Sequence, residues 1–167
     1  MTVRFISDPH IRHENMAIKR GFPDSYHHDE NFTMQWNLIV HKRDVTYILG
    51  DLTMEKNNYS FLDRLNGTIH IVGGNHDKIG HSKYILEYVN GFAGMVKYRS
   101  KQYGKFWLTH CPIHPMELDI DKAKGFTSYN IHGHIHDAYK IPDKRYINVS
   151  AEVIDYKPKT LKELIDE

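Results

Sequence analysis

The sequence predicts an α/β fold, a four-layer α-β-β-α sandwich in which two mixed sheets face each other with helices outside them. Three observations carry this expectation. Apolar runs alternate with helix-spaced segments through the first half of the chain, the pattern of parallel strands joined by crossovers. The second half places short strand-like runs on either side of Gly104, which argues for a hairpin and a second sheet. Five of the apolar runs stop at acids, imidazoles or an amide, as do the ligand-bearing strand ends of open α/β sheets.

Residues 1–7 are rich in β-branched and aromatic side chains and halt at Asp8-Pro9, where proline withholds the amide that a continuing strand would use. A short helix is expected over 14–20. The turn cluster Gly21-Phe22-Pro23-Asp24-Ser25 then opens a surface loop carrying His27 and His28. Over 30–42, Phe32, Trp36, Ile39 and Val40 are spaced as the buried stripe of an amphipathic helix. Residues 45–49 are apolar enough for a strand covered on both faces. Phe61, Leu62 and Leu65 give 59–65 a helical spacing, closed by Asn66-Gly67, a pair suited to a left-handed C-terminal turn. A strand over 68–72 follows, then a short helix over 82–89 with Ser82 as its cap. Residues 95–99 and 106–109 form the hairpin. A strand ending at Gly133, another over 145–149 and a helix over 161–165 complete the chain.

The 167 residues suit one domain, 1–167, with a core of ordinary size. Lys and Arg number 22 against 21 Asp and Glu, so the net charge of +1 creates no global field for gripping nucleic acid or an anionic membrane. Any attraction for phosphate is therefore local. The single cysteine, Cys111, excludes an intramolecular disulfide framework. No signal-peptide pattern opens the chain, and no apolar run nears the ~20 residues of a membrane helix. A soluble, cytoplasmic protein with no membrane partner is expected.

The chemistry lies in five blocks: Asp8-Pro9-His10, Gly50-Asp51, Gly74-Asn75-His76-Asp77, His110 and Gly133-His134-Ile135-His136. Gathered at one place, they would carry a heavy desolvation cost unless a ligand satisfied them. Gly50, Gly74 and Gly133 suit turns that need positive backbone angles. In this order, with strands before them, the blocks resemble the signature of the calcineurin-like metallophosphoesterases, in particular their small uncapped bacterial and phage-type members.

That resemblance implies a metallophosphoesterase-like fold and two divalent metal ions. Asp8, His10 and His136 would hold one ion, Asn75, His110 and His134 the other, and Asp51 would bridge them. His76 would contact the phosphoryl group and protonate the leaving oxygen, with Asp77 orienting its ring. Imidazole mixed with carboxylate and amide oxygen suits first-row ions such as Mn²⁺, Fe²⁺, Ni²⁺ or Zn²⁺ and does not choose among them; Mn²⁺ is the expected cofactor. Two divalent ions outweigh the charge of Asp8 and Asp51, leaving the site attractive to phosphate, and can lower the pKa of bound water from ~15.7 toward ~7. The implied reaction is phosphate-ester hydrolysis by a metal-bridging hydroxide, without a covalent enzyme intermediate. Arg12 and His13, in His10-Ile11-Arg12-His13-Glu14-Asn15, resemble an extended first motif and are candidates to touch a substrate phosphate.

Fewer than forty residues separate successive blocks, which leaves no inserted cap and points to an open groove. A phosphodiesterase is expected, with a phosphomonoesterase or nucleotidase as the alternative and nucleotides or single-stranded nucleic acid among the phosphate esters considered. A non-catalytic metal-binding regulatory module is the reading from a different class. Loss of a ligand or of His76 would favour it, and neither is missing. Lys97, Arg99, Lys101 and Lys105 read as a solvated hairpin face, Cys111 as a packing residue, and His132 as lying outside the ligand set.

Overall fold

In a computed structural model, which describes residues 1–55, 57–123, 125 and 127–166, two sheets face each other. The first contains β1 (Val3–Ile6), β2 (Val45–Ile48), β3 (Thr68–Val72), β4 (Gly91–Ala93) and β9 (Lys159–Thr160), in the order β4-β3-β2-β1-β9. All its pairings are parallel except β1 with β9. The second contains β5 (Val96–Ser100), β6 (Gly104–Leu108), β7 (Ser128–His132) and β8 (Tyr146–Asn148), in that order. β5 and β6 form the expected antiparallel hairpin, and β6, β7 and β8 run parallel. The helices are α1 (Glu14–Lys19), α2 (Ser25–Ile39), α3 (Ser82–Ile85), α4 (Pro115–Ala123) and α5 (Leu161–Ile165).

Register positions the site. Ile6 pairs with Ile48 and Ile48 with Ile71, so β1, β2 and β3 end level with one another. In the second sheet Leu108 pairs with Ile131 and His132 with Asn148. One backbone exchange then joins the sheets at the same end: Ser7 N–H donates to the Val149 carbonyl at 2.8 Å, and Ala151 N–H to the Ser7 carbonyl at 2.9 Å. Aromatic side chains fill the space between the sheets. Phe5 meets Tyr98 edge-on at 5.6 Å, and Phe106 is buried beneath Tyr129, with the rings stacked at 5.2 Å.

Several local expectations change. His27 and His28 are helical, because Asp24 accepts the His27 N–H at 2.8 Å and starts α2 at the turn cluster itself. Residues Ser60–Arg64 form a 3₁₀ turn, too short to propagate as an α-helix. A second such turn, Ile79–His81, precedes α3, so Ser82 lies inside the helical stretch and makes no cap. β4, β9 and α4 add to the elements that the sequence predicts. The two strands are only two or three residues long, but α4 opens on Pro115 at a position that tolerates proline. Gly67 does take the left-handed conformation, at φ 93°.

Candidate metal centre

The loops after β1, β2, β3, β6 and β7 converge on one cluster. Asp8, His10, Asp51, His134 and His136 all have positive φ, between 47° and 69°. Such backbone costs on the order of 1–3 kcal/mol per non-glycine residue and persists only where the surroundings enforce it. Here the loops hold each other: Asp8 N–H donates to Gly50 O at 3.1 Å and His10 N–H to Asp51 O at 3.0 Å.

Asp8 directs its two oxygens differently. Oδ2 accepts the His134 backbone N–H at 3.0 Å and the Ser150 hydroxyl at 3.1 Å. Oδ1 lies 3.7 Å from His10 Nε2 and 3.8 Å from His136 Nε2. Oδ1 and both ring nitrogens of His10 are buried without a hydrogen-bond partner. Each such group costs about 1–3 kcal/mol, and a cation among them would relieve all three. One donor atom from each of Asp8, His10 and His136 lies within 4.8 Å of the others, a spacing that a single ion can span.

The second half centres on His110. Its Nδ1 is 2.7 Å from the Leu49 carbonyl, so it donates there and leaves a lone pair on Nε2. Nε2 in turn faces Asn75 Oδ1 at 2.8 Å, His134 Nδ1 at 3.2 Å and Asp51 Oδ2 at 3.3 Å. Lone pairs turned toward one another call for positive charge between them. Asp51 Oδ2 is also 3.7 Å from His10 Nε2, which puts this carboxylate between the two groups.

The electrostatics agree. Burial pushes the Asp8 carboxyl up, but the nearby imidazoles of His10, His110 and His136 outweigh it and hold Asp8 well below the usual carboxylate range. Asp51 is likewise lowered against its burial, chiefly by His110. Burial opposes charge on His110, yet the carboxylates of Asp51 and Asp8 beside it push its pKa up.

The turn glycines act through close approach as well as conformation. Gly50 has the expected positive angle, φ 90°, whereas Gly74 and Gly133 do not. Their reason is space. A Cβ on Gly74 would overlap Asp51 Oδ1, and one on Gly133 would overlap Asp8 Oδ2 and Ser7 Oγ.

The flanking residues divide. His76 donates its backbone N–H to Asp51 Oδ1 at 2.9 Å, and its half-exposed ring places Nε2 3.9 Å from Asp51 Oδ2. Asp77 does not orient that ring. Its carboxylate accepts the backbone N–H groups of Asp51 at 2.7 Å, Gly74 at 2.9 Å and Leu52 at 3.0 Å, clamping the loops after β2 and β3 together. Arg12 is not turned to the cluster either, since its guanidinium pairs with Glu55. His13 does approach, with its ring 5.5 Å from that of His10, although its Nδ1 accepts the Met16 N–H and caps α1. Cys111 is exposed rather than packed, and its sulfur lies near His110 and His134. His132 is buried against Tyr146 and lies outside the clusters.

Sequence reasoning missed Glu152. Its Oε1 is 2.6 Å from His136 Nδ1, and its Oε2 is 2.5 Å from the Arg20 guanidinium, which also donates to the carbonyls of Asp8 and Pro9. A carboxylate on the outer nitrogen of a ligand imidazole fixes its tautomer and aims the other nitrogen inward. No motif spacing signals this pair, because the turn after β8 delivers Glu152.

The family model described as Calcineurin-like phosphoesterase matches residues 1–167. The chain belongs to the calcineurin-like phosphoesterase family. Membership carries metal-dependent phosphoester hydrolysis at a dinuclear divalent centre, and the donor clusters described above fit such a pair. The chain is 36% identical over 171 residues to Uncharacterized protein MJ1445 of Methanocaldococcus jannaschii, covering 95% of this chain and 86% of that one. It is 30% identical over 105 residues to Gene 66 protein of Mycobacterium phage L5, covering 62% of this chain and 47% of that one. The crystal structure of a protein of unknown function, AQ665 from Aquifex aeolicus, superposes with a TM-score of 0.75 at 25% identity, covering 99% of this chain and 98% of that one. The expected calcineurin-like fold, two mixed sheets flanked by helices, is the observed one.

Proposed function

We infer that this calcineurin-like phosphoesterase is a phosphodiesterase whose two metal sites share Asp51. The observation that supports this most directly is the meeting of His110, His10 and His76 around Asp51 Oδ2, at 3.3, 3.7 and 3.9 Å. In this reading Asp8, His10 and His136 complete one site, and Asn75, His110 and His134 complete the other. Divalent ions there, Mn²⁺ foremost, supply Lewis acidity toward phosphate oxygens and lower the pKa of water toward neutrality.

The chain's own groups do the remaining work. Asn75 contributes a neutral oxygen, which leaves the site net cationic and favourable to a phosphate. Glu152 and Arg20 hold the His136 ring and the Asp8 backbone in place. His76, at the exposed rim, delivers a proton to the leaving oxygen. His13, whose ring lies beside that of His10, is the candidate for a further substrate contact.

The short spacing between motif blocks leaves the groove uncapped, which suits a diester with substituents on both sides of the phosphorus. Among the described residues no helix is long and apolar enough to cross a membrane. The test is metal analysis of the purified protein, followed by Mn²⁺-dependent hydrolysis of bis- and mono-nitrophenyl phosphate. Faster turnover of the bis-ester is expected. A faster mono-ester would replace the reading with a phosphomonoesterase, and metal binding with neither activity would favour a regulatory module.

A further inference from the structure

The β5–β6 hairpin has two unlike faces. Val96 opposes Leu108 and Tyr98 opposes Phe106, and these four pack into the core. On the other face Lys97 opposes Trp107 and Arg99 opposes Lys105. Lys97 and Arg99 are exposed, and Trp107 is half-buried although it points away from the core. Lys97 Nζ stands 4.2 Å from the centre of the Trp107 ring.

The surface is also hollowed. A cavity of about 260 Å³ is lined by Lys97, Arg99, Lys105 and Trp107. A second, of about 830 Å³, shares Arg99 and Lys105 with it and reaches Lys101, Tyr103 and Tyr129. Residues 88–116 contain no Asp or Glu, so the hairpin segment itself is cationic on a chain whose net charge is only +1. Asp166 meets the Tyr103 hydroxyl at one rim.

We propose that the outward face of the β5–β6 hairpin is a platform for single-stranded nucleic acid that leads toward the metal centre. A solvated strand face needs no indole. A half-buried indole among cations offers a stacking surface for an unpaired base, while Lys97 and Arg99 neutralise the adjoining phosphates. A duplex hides its base faces from such a ring, which is why the single strand is the occupant that fits. Direction matters too: β6 runs from Gly104 to Leu108 and straight on through Thr109 to His110. Trp107 therefore stands three residues, about 10 Å of strand, from a metal-centre histidine. Cleavage of the bound strand rests on the phosphodiesterase reading, whereas binding itself needs no metal.

The test uses the full chain treated with chelator, fluorescein-labelled oligodeoxythymidine, anisotropy and tryptophan emission. Trp36 is fully buried, so a change in emission on binding reports Trp107, with Trp107→Phe as the control. Saturable binding with quenching is expected, with a log-log salt slope of about −0.7 for each phosphate contacted. The double variant Lys97→Glu, Arg99→Glu should bind at least about ten-fold more weakly, while its Mn²⁺-dependent bis-ester hydrolysis stays unchanged and vouches for its fold. Absence of saturable binding at low salt overturns the proposal. So does binding without quenching that heparin displaces as well as unlabelled oligonucleotide does, or a preference for duplex DNA. Oligonucleotide binding without bis-ester hydrolysis would count against the phosphodiesterase reading alone.

Discussion

The Asp8 carboxylate accepts the backbone N–H of His134 at 3.0 Å, although 126 residues separate them. This bond ties the loop after β1, in one sheet, to the loop after β7, in the other. It occupies Oδ2 and leaves Oδ1 buried without a hydrogen-bond partner beside His10 and His136. The protein thus folds around a place for a cation.

Metal should therefore stabilise the fold. Free Mn²⁺ at a hundred times its dissociation constant is expected to add about 2.7 kcal/mol per site, read as a shift in the urea midpoint. Asp8→Ala should lose most of that increment. An identical metal-induced shift in wild type and variant would remove Asp8 from the ligand set.

Glu152→Gln tests the support behind His136. Weakening a partner of this kind typically costs 10–100-fold in metal affinity or activity, and a loss of about that size is expected in equilibrium dialysis. The ring should still bind, so raised Mn²⁺ should restore activity.

His76→Ala should depend on the leaving group. With a poor one, which needs a proton, turnover is expected to fall about 10²–10⁴-fold. With nitrophenolate the loss should be far smaller, and equal losses would leave His76 a purely electrostatic role.

Asp77→Ala should act on stability before chemistry. It strips the acceptor from three backbone amides at the junction of two loops, so a destabilisation of at least about 3 kcal/mol is expected in urea titration. A stable but inactive variant would instead return Asp77 to the service of His76.

Gly74→Ala should cost about 1–3 kcal/mol, because the new methyl group overlaps Asp51 Oδ1 and must push two loops apart. Metal affinity should fall with it, whereas Gly80→Ala, where a Cβ meets open space, should be close to neutral in both measurements.

The strands and the polar blocks that close them are legible because their signals are local. Apolar runs at β1, β2 and β3 end at residues whose types already name their chemistry, and Gly104 marks the hairpin. The edges were harder to read. β4 and β9 are strands because neighbouring strands pair with them, and two or three residues carry no period of their own. His28 is helical rather than in a loop for a related reason: its buried position depends on the Asp24 cap and on Arg20, whose guanidinium lies 2.9 Å from its Nε2.

The residues at the strand ends and their order follow from the sequence by itself, since residue type and strand-to-turn patterning are short-range properties, and their resemblance to the calcineurin-like family is what implies a pair of cations. Only the tertiary structure decided which partner each polar group faces. Asp77 serves three backbone amides, Arg12 turns to Glu55, and Glu152 arrives from another part of the chain to hold His136. Hydrogen bonds and ion pairs depend on distances of a few ångströms between segments far apart in sequence, and only the packing of the two sheets against each other sets those distances.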